Sequence, residues 1–168
     1  MSYHDVLTAI IERSLPALSQ ISNEAYRQKD DPTRWSKIEV LGHLIDSAYN
    51  NHQRFMLAGH QDHLRFSGYH QDLWVKRNDY QHRESAEIIR LWSSSNHHLA
   101  NLLAQLSTEV LTRKTYDHDF DKICMNSLRA GDNTSLSYLV WDYIFHLEHH
   151  LSQLLPEYER QLEDYSYY

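Results

Sequence analysis

A chain of 168 residues with only four glycines and three prolines is long enough to bury a core, and its composition favours helices. The net charge of -7 offers no basic face to a nucleic acid, and a single cysteine excludes an internal disulfide. The sequence lacks an apolar run of the about 18 residues that a membrane span needs, and its first residues are too polar for a signal peptide. We therefore expect one cytoplasmic domain over residues 1–168 that binds neither nucleic acid nor membrane.

Apolar residues at helical spacing predict four long helices. The first covers about residues 4–27, where Pro16 is expected to kink or restart the helix and Ser14 is a candidate local cap. The second opens at Ser36, which has Glu39 three residues later as in a capping box, and continues to about Gly59.

The third helix covers about residues 84–106, and the fourth runs from the turn at 131–134 to about residue 162. Two long connections separate these helices. Residues 60–83 are rich in aromatic side chains and are expected to pack against the bundle, and residues 107–133 are predicted to form a small hairpin or an irregular loop. Connections of this length are typical of crossovers or functional segments. The sequence therefore predicts an all-α four-helix bundle with long crossover connections.

Two histidines four residues apart mark the fourth helix. His146 and His150 are neighbours on the helix surface, so both imidazoles can reach one metal ion. His150 falls inside the apolar arc and His146 lies at its edge, whereas His149 points toward the polar flank. The same pattern also fits two histidines at the core edge that bond to carbonyl groups or water.

A third ligand has to come from another helix, and the second helix offers His43. A polar stripe of His43, Ser47, Asn50 and Arg54 runs along this helix, nearly opposite its apolar arc. Such a stripe is typical of a solvent-facing side, so periodicity alone does not select His43. Asp46, one turn further on, is either a partner for the free ring nitrogen of His43 or a solvated carboxylate.

The chain resembles the DinB/YfiT superfamily at three places in the right order. Residues 35–47 (WSKIEVLGHLIDS) resemble its second-helix motif, residues 66–74 its aromatic connection, and residues 146–150 its paired histidines. The likeness is closest to the YfiT-like branch and departs from it at His70, where an acid is common, and in the loop 107–133. It implies a four-helix bundle, commonly a homodimer, that binds one divalent zinc or nickel ion through His43, His146 and His150.

A set of three histidine ligands limits the reactions that the metal ion could catalyse. Three neutral imidazoles leave one coordination position open, as in catalytic zinc sites. Such a centre can activate a water for attack on an ester or amide, or hold a small thiol as a nucleophilic thiolate. Water activation usually needs a base, and the sequence offers no obvious glutamate beside the ligands. Glu148 lies between the two histidines in sequence but projects to the far side of the helix. The sequence therefore favours thiol transfer. The resemblance implies the same direction, since relatives include bacillithiol and mycothiol S-transferases, although others are labelled metal-dependent hydrolases.

We accordingly expect a metal-dependent S-transferase that joins a bacillithiol-like thiol to an electrophile through a metal-bound thiolate. Asn50 and Arg54 are predicted to bind the carboxylate or sugar groups of the thiol. The alternatives are a hydrolase that uses a metal-bound water and a metal-stabilised binding protein without catalysis. Cys124 is interpreted as a buried apolar residue, and the terminal tyrosines 165, 167 and 168 as a tail or a dimer contact.

Overall fold

Four long helices form the body of the protein in the computed structural model, which describes residues 2–162. They are α1 (Tyr3–Gln20), α3 (Lys37–Ala58), α5 (Ser85–Gln105) and α8 (Leu136–Leu154). Short helices lie in the connections, namely α2 (Asn23–Arg27), α4 (Gln71–Asn78), α6 (Thr108–Thr112) and α7 (Phe120–Ile123), with a 3₁₀ turn at Tyr80–His82. The terminal tyrosines lie outside the described residues.

The long helices are not packed in chain order. Helix α1 packs against α5 and α8, and α3 packs against the same two helices, so α1 and α3 lie diagonally opposite. The connections from α1 to α3 and from α5 to α8 therefore cross the end of the bundle, whereas residues 59–84 join the neighbours α3 and α5. This arrangement confirms the predicted all-α four-helix bundle with crossover connections, and it places α3 beside α8.

Local capping explains where α3 begins. The Ser36 hydroxyl accepts from the backbone N–H of Glu39 at 3.4 Å, and the Glu39 carboxylate accepts from the N–H of Ser36 at 2.8 Å. This is the predicted capping box, which satisfies two backbone donors at the start of the helix. The helix ends at Ala58 with Gly59 as its C-cap, close to the predicted end.

The first predicted helix, residues 4–27, is in fact two helices, and the second does not start at Pro16. Pro16 lies inside α1 without interrupting it, and the chain breaks later, at Ile21. Ser22 then caps α2 by accepting from the N–H of Ala25. The hydroxyl of Ser14, the candidate cap, is buried without a hydrogen-bond partner. The break therefore follows from the new N-cap at Ser22 and not from the proline.

The last helix ends eight residues before the predicted position. Leu155 is extended and precedes Pro156, and the residue before a proline disfavours the helical conformation. Residues 155–162 instead fold back along α8, where the buried carboxylate of Glu148 binds them. This carboxylate accepts hydrogen bonds from the hydroxyl of Tyr158 at 2.7 Å and from the backbone N–H groups of Gln161 and Leu162 at 2.7 and 2.8 Å. These bonds replace the helical hydrogen bonds that this segment lacks.

The two long connections pack against the bundle. Phe66 and Tyr80 are buried in the first connection, as its aromatic content predicts. In the second connection, α6 and α7 flank a single antiparallel bridge between Thr115 and Thr134, so this segment is irregular rather than a regular hairpin. Across the described part of the chain, no helix combines the length and apolar character that crossing a bilayer requires.

Candidate metal centre

The three predicted ligand histidines come together between α3 and α8. One ring nitrogen from each of His43, His146 and His150 lies within 4.8 Å of the other two. The Nε2 atoms of His43 and His146 are 3.0 Å apart. Ligand nitrogens on one tetrahedral ion, each at about 2.0–2.1 Å, are about 3.3 Å apart. The donor set therefore fits a single zinc or nickel ion, for which imidazole is a suitable ligand.

His43 does not face solvent, although its polar stripe allowed that interpretation. The side chain is 1% exposed. Trp35 packs against its imidazole with the ring centroids 4.9 Å apart, and Tyr69 stacks on it more distantly at 6.5 Å. The polar stripe of α3 thus faces the interior at this point, because α8 and the connections cover it.

The protonation states of the three rings suit metal binding. Burial lowers the pKa of His43 to about 3, with a further contribution from the nearby His150. Burial and the neighbouring histidines also lower the pKa of His146 well below its ordinary value, and burial lowers that of His150. The rings are therefore neutral near pH 7, and protons compete weakly with an ion for their nitrogen lone pairs.

A neighbour on the same helix fixes the orientation of the His150 ring. Its Nδ1 lies 2.9 Å from Oε1 of Gln153. An amide oxygen only accepts, so Nδ1 carries the proton in this contact and the lone pair of Nε2 is free for an ion. His149 makes its own contact with Gln153 and lies outside the ligand cluster.

A cavity of about 370 Å³ opens beside His146 and His150. Its wall combines polar residues of α3 with the aromatic connection, the segment after α7 and α8: Ser47, Asn51, Arg54, Tyr69, Gln71, Lys122, Ile123, Cys124, Met125, Leu139, Asp142, Tyr143, His146, His149 and His150. A larger cavity of about 570 Å³ lies between α1 and residues 155–159, but neither histidine nor cysteine lines it. A third cavity, of about 560 Å³, is lined by His150 but by no other ligand histidine. The smaller cavity, which two ligand histidines line, is therefore the candidate substrate site.

Arg54 supplies a buried positive charge to this cavity. Its side chain is 6% exposed and donates to the carbonyl of Ser67 at 3.0 Å and to Oδ1 of Asn51 at 3.4 Å. No carboxylate among residues 2–162 forms an ion pair with it. The carboxylates of Asp119 and Asp142 stabilise its charge without a direct ion pair. A guanidinium has five N–H donors, so this wall can still bind a ligand that brings a negative charge.

The other predicted binding residue, Asn50, is placed differently. Its amide donates to the backbone carbonyl of Asp46 at 2.8 Å, and it does not line the cavity. The next residue, Asn51, is buried and lines the cavity instead. Asn51 lies four residues after Ser47 and three before Arg54, which is the helical spacing by which the sequence could have indicated it.

Both carboxylate oxygens of Asp142, in the cavity wall, accept hydrogen bonds. Oδ2 of Asp142 accepts from the backbone N–H of Met125 at 3.0 Å, and Oδ1 accepts from that of Asn126 at 2.7 Å and from its side-chain amide at 3.0 Å. Asp142 thereby anchors the segment after α7 and has no free oxygen for general-base chemistry. Glu148 is equally unavailable, since its bonds hold residues 155–162 on the outer side of α8.

Cys124 and Tyr69 also line the cavity, which the sequence did not indicate. Burial and the adjacent Asp142 raise the pKa of the Cys124 thiol, so it stays protonated and is a poor nucleophile. Burial raises the pKa of Tyr69 as well, and its hydroxyl bonds to the side chain of Ser47. Both residues belong to connections whose path cannot be read from helical periodicity.

The chain is similar to a known family and to named proteins over most of its length. Residues 7–154 match the DinB superfamily. A Bacillus mycoides protein named "putative metal-dependent hydrolase" is 25% identical over 162 residues, which is 90% of this chain and 87% of its own length. A Bacillus cereus protein of the same name is 27% identical over 131 residues, covering 76% of this chain and 69% of its own.

Two solved structures share the fold. YfiT from Bacillus subtilis, described as a probable metal-dependent hydrolase with an unusual four-helix bundle topology, superposes with a TM-score of 0.70 at 18% identity. The alignment covers 90% of this chain and 81% of YfiT. A mycothiol-dependent maleylpyruvate isomerase superposes with a TM-score of 0.64 at 13% identity, over 92% of this chain and 63% of the isomerase.

Proposed function

Because the chain belongs to the DinB superfamily, we propose that it is a metal-dependent S-transferase that joins a small thiol to an electrophilic substrate. The observation that carries this proposal is the composition of the site. Three neutral imidazoles converge beside a cavity that holds a buried cation. The one carboxylate among the described residues of its wall, Asp142, accepts hydrogen bonds with both oxygens, and Asp46 does not line the cavity. A thiol that ionises on a metal ion needs no such base, whereas the activation of water usually does.

His43, His146 and His150 would hold one divalent ion, zinc or nickel, in a cytoplasmic protein. The ion supplies Lewis acidity, which lowers the pKa of a thiol or water bound at its open position. Gln153 keeps Nε2 of His150 available, and Trp35 excludes water from one face of His43.

The cavity would hold the thiol through its negatively charged or sugar groups. The Arg54 guanidinium provides N–H donors in a fork that matches a carboxylate. For Asn50 the binding role stays a prediction, since its amide bonds to Asp46, while Asn51 lines the cavity next to Arg54. One solved protein of this fold is named as mycothiol-dependent, and we extend to this chain a small thiol of that general class.

The proposed reaction is a transfer of sulfur to carbon. The thiol releases its proton to solvent, and the sulfur forms a bond to the electrophilic carbon with its own electron pair. The leaving group departs with the electron pair of the bond that breaks. The residues of this chain bind and orient the two reactants, and a dedicated proton acceptor is not required.

The test is a turnover assay with bacillithiol and monobromobimane. We expect the zinc- or nickel-loaded protein to accelerate bimane conjugation, and we expect the metal-free protein and His150→Ala to give the uncatalysed rate. His149→Ala is the matched control, because this neighbouring histidine lies outside the ligand cluster. Equal rates for loaded protein, metal-free protein and His150→Ala would reject the proposal.

A hydrolase is the second candidate, and the names of the Bacillus relatives favour it. It predicts that the loaded protein cleaves an activated ester such as p-nitrophenyl acetate in the absence of any thiol. A binding protein without catalysis predicts neither activity, together with a large loss of thermal stability when the metal is removed. Assembly as a homodimer stays a prediction, which sedimentation analysis of the loaded protein would test.

A further inference from the structure

Two buried polar atoms near the metal centre have no hydrogen-bond partner. One is Nδ1 of His43 and the other is Oδ2 of Asp46. Among the described residues they are the only histidine nitrogen and the only carboxylate oxygen in that condition. The two residues are one turn apart on α3 and are 1% and 2% exposed. An unpaired buried polar atom is unfavourable, so this coincidence calls for a physical reason.

The other buried carboxylates lack this feature. Both oxygens of Asp142 accept hydrogen bonds from residues 125–126, and both oxygens of Glu148 accept from residues 158–162. In Asp46, by contrast, Oδ1 is held by the hydroxyl of Tyr80 at 2.8 Å and the amide of Asn78 at 2.9 Å, and Oδ2 is left over.

The side chains around Asp46 are closely packed. The ring of Tyr80, which delivers the hydroxyl, is 2% exposed and packs directly on Gly42. A side chain at position 42 would overlap this ring, so only glycine lets Tyr80 approach α3 closely enough to reach Asp46. The carboxylate beside the first ligand histidine is therefore held on one side and free on the other.

We infer that Asp46 is a positioning residue of the metal site, whose Oδ2 accepts a hydrogen bond from Nδ1–H of His43 when an ion is bound. Coordination through Nε2 of His43 fixes the proton on Nδ1 and makes this N–H a stronger donor. Three neutral imidazoles do not balance a divalent charge, and the Asp46 carboxylate offsets part of it. The inference rests on the proposed ligand set and is independent of the reaction catalysed.

Asp46→Asn separates this role from a structural one because its two expected effects have opposite signs. The asparagine oxygen can keep the bonds to Tyr80 and Asn78, which turns the NH₂ group toward His43. In the metal-free protein a buried carboxylate becomes a neutral amide, so we expect the thermal midpoint to stay the same or rise. In the loaded protein the NH₂ group faces the Nδ1–H donor, so we expect zinc affinity to fall about 10- to 100-fold.

The matched control is Asp142→Asn, which removes one buried negative charge near the same histidines without touching His43. Zinc affinity is measured by competition with a chromophoric chelator, and we expect this control to stay within about 3-fold of wild type because its carboxylate bonds to residues 124–126. If Asp46→Asn fails to fold, Tyr80→Phe removes one bond to Oδ1 and should lower zinc affinity about 2- to 10-fold.

A spectroscopic signature completes the test. In zinc-loaded protein with ¹⁵N-labelled histidine, we expect a slowly exchanging, downfield Nδ1–H proton that moves upfield or disappears in Asp46→Asn. Unchanged zinc affinity and spectrum in Asp46→Asn would overturn the inference while leaving the metal site in place, and so would an equal loss of affinity in Asp142→Asn. A wild-type protein that binds neither zinc nor nickel would overturn the ligand set and this inference together.

Discussion

Gly42→Ala tests the close contact between the second turn of α3 and the ring of Tyr80. A Cβ at position 42 would lie 2.6 Å from Cε2 of Tyr80 and closer still to two further ring atoms. Ordinary carbon–carbon contacts are about 3.5–4.0 Å, so the buried ring would have to retreat by about 1 Å or more. This retreat would also stretch the 2.8 Å bond between the Tyr80 hydroxyl and Asp46.

The size of the effect follows from three contributions. Overpacking of this kind destabilises by about 2 kcal/mol, and the weakened hydrogen bond adds about 1 kcal/mol. Alanine is favoured over glycine in a helix interior by about 1 kcal/mol, which offsets part of the loss. We therefore expect the free energy of unfolding to fall by about 2 kcal/mol and the thermal midpoint by about 4–8 °C.

Urea denaturation followed by circular dichroism measures this change. Gly59→Ala is the matched control. A Cβ there meets only the carbonyl oxygen of Met56 at 3.5 Å, and the backbone φ of -71° suits alanine. We expect this control to change the free energy of unfolding by no more than about 0.5 kcal/mol. In a Tyr80→Leu background the penalty of Gly42→Ala should largely vanish. A Gly42→Ala protein as stable as wild type, or a penalty that persists without the Tyr80 ring, would refute this account.

Three further predictions concern charge. Arg54→Gln should weaken bacillithiol binding to the loaded protein about 10- to 100-fold in calorimetry, because a charge-assisted bond of about 1.5–3 kcal/mol is lost, whereas Asn50→Ala should have a smaller effect. In the metal-free protein, folding lowers the pKa of His43 from 6.5 to about 3, so the folded protein binds a proton there more weakly than the unfolded chain does. The contribution of His43 to the free energy of unfolding is therefore complete above pH 6.5 and is lost as the pH falls. We expect it to decrease by about 2 kcal/mol between pH 7 and pH 5, as measured by urea titration. Asp46, whose pKa burial raises to about 6, acts in the opposite direction, so the decrease should be steeper in Asp46→Asn. Glu148→Ala should lower the free energy of unfolding by at least about 2 kcal/mol and expose residues 155–162 to trypsin, whereas Glu157→Ala, at an exposed position, should do neither.

Helix boundaries were predictable where the signal is local. Ser36 and Glu39 form their capping box with each other, so the start of α3 could be predicted from four residues. The break at Ser22 has no comparable signature, because serine also occurs inside helices. Pro156 indicates that α8 ends near residue 154. The apolar residues, however, keep their helical spacing as far as Leu162, and this spacing led to the longer prediction. Leu162 is buried in an extended segment that Glu148 holds in place.

The ligand set was only partly predictable from the residues themselves. His146 and His150 share one helix face, so their spacing alone brings the rings together. His43 lies on a polar stripe, and periodicity does not tell whether such a stripe faces water or a binding site. That distinction depends on α3 packing beside α8, which the family resemblance implied and the fold confirms. The same ambiguity explains why Asn50 was preferred to Asn51, one residue away.

The charges left unbalanced at this site have a consistent pattern. The Asp46 carboxylate has an unpaired oxygen one helical turn from His43, which offers a lone pair together with His146 and His150. Within the cavity, Arg54 carries a positive charge that forms no ion pair with any carboxylate of residues 2–162, and Asp119 and Asp142 act on it only from beyond ion-pair distance. A cation at the histidines and an anionic group at Arg54 would satisfy both at once, and neither could exchange places with the other. Two ligands of opposite charge are what the proposed reaction requires, because it would bring an anionic thiol to a metal ion.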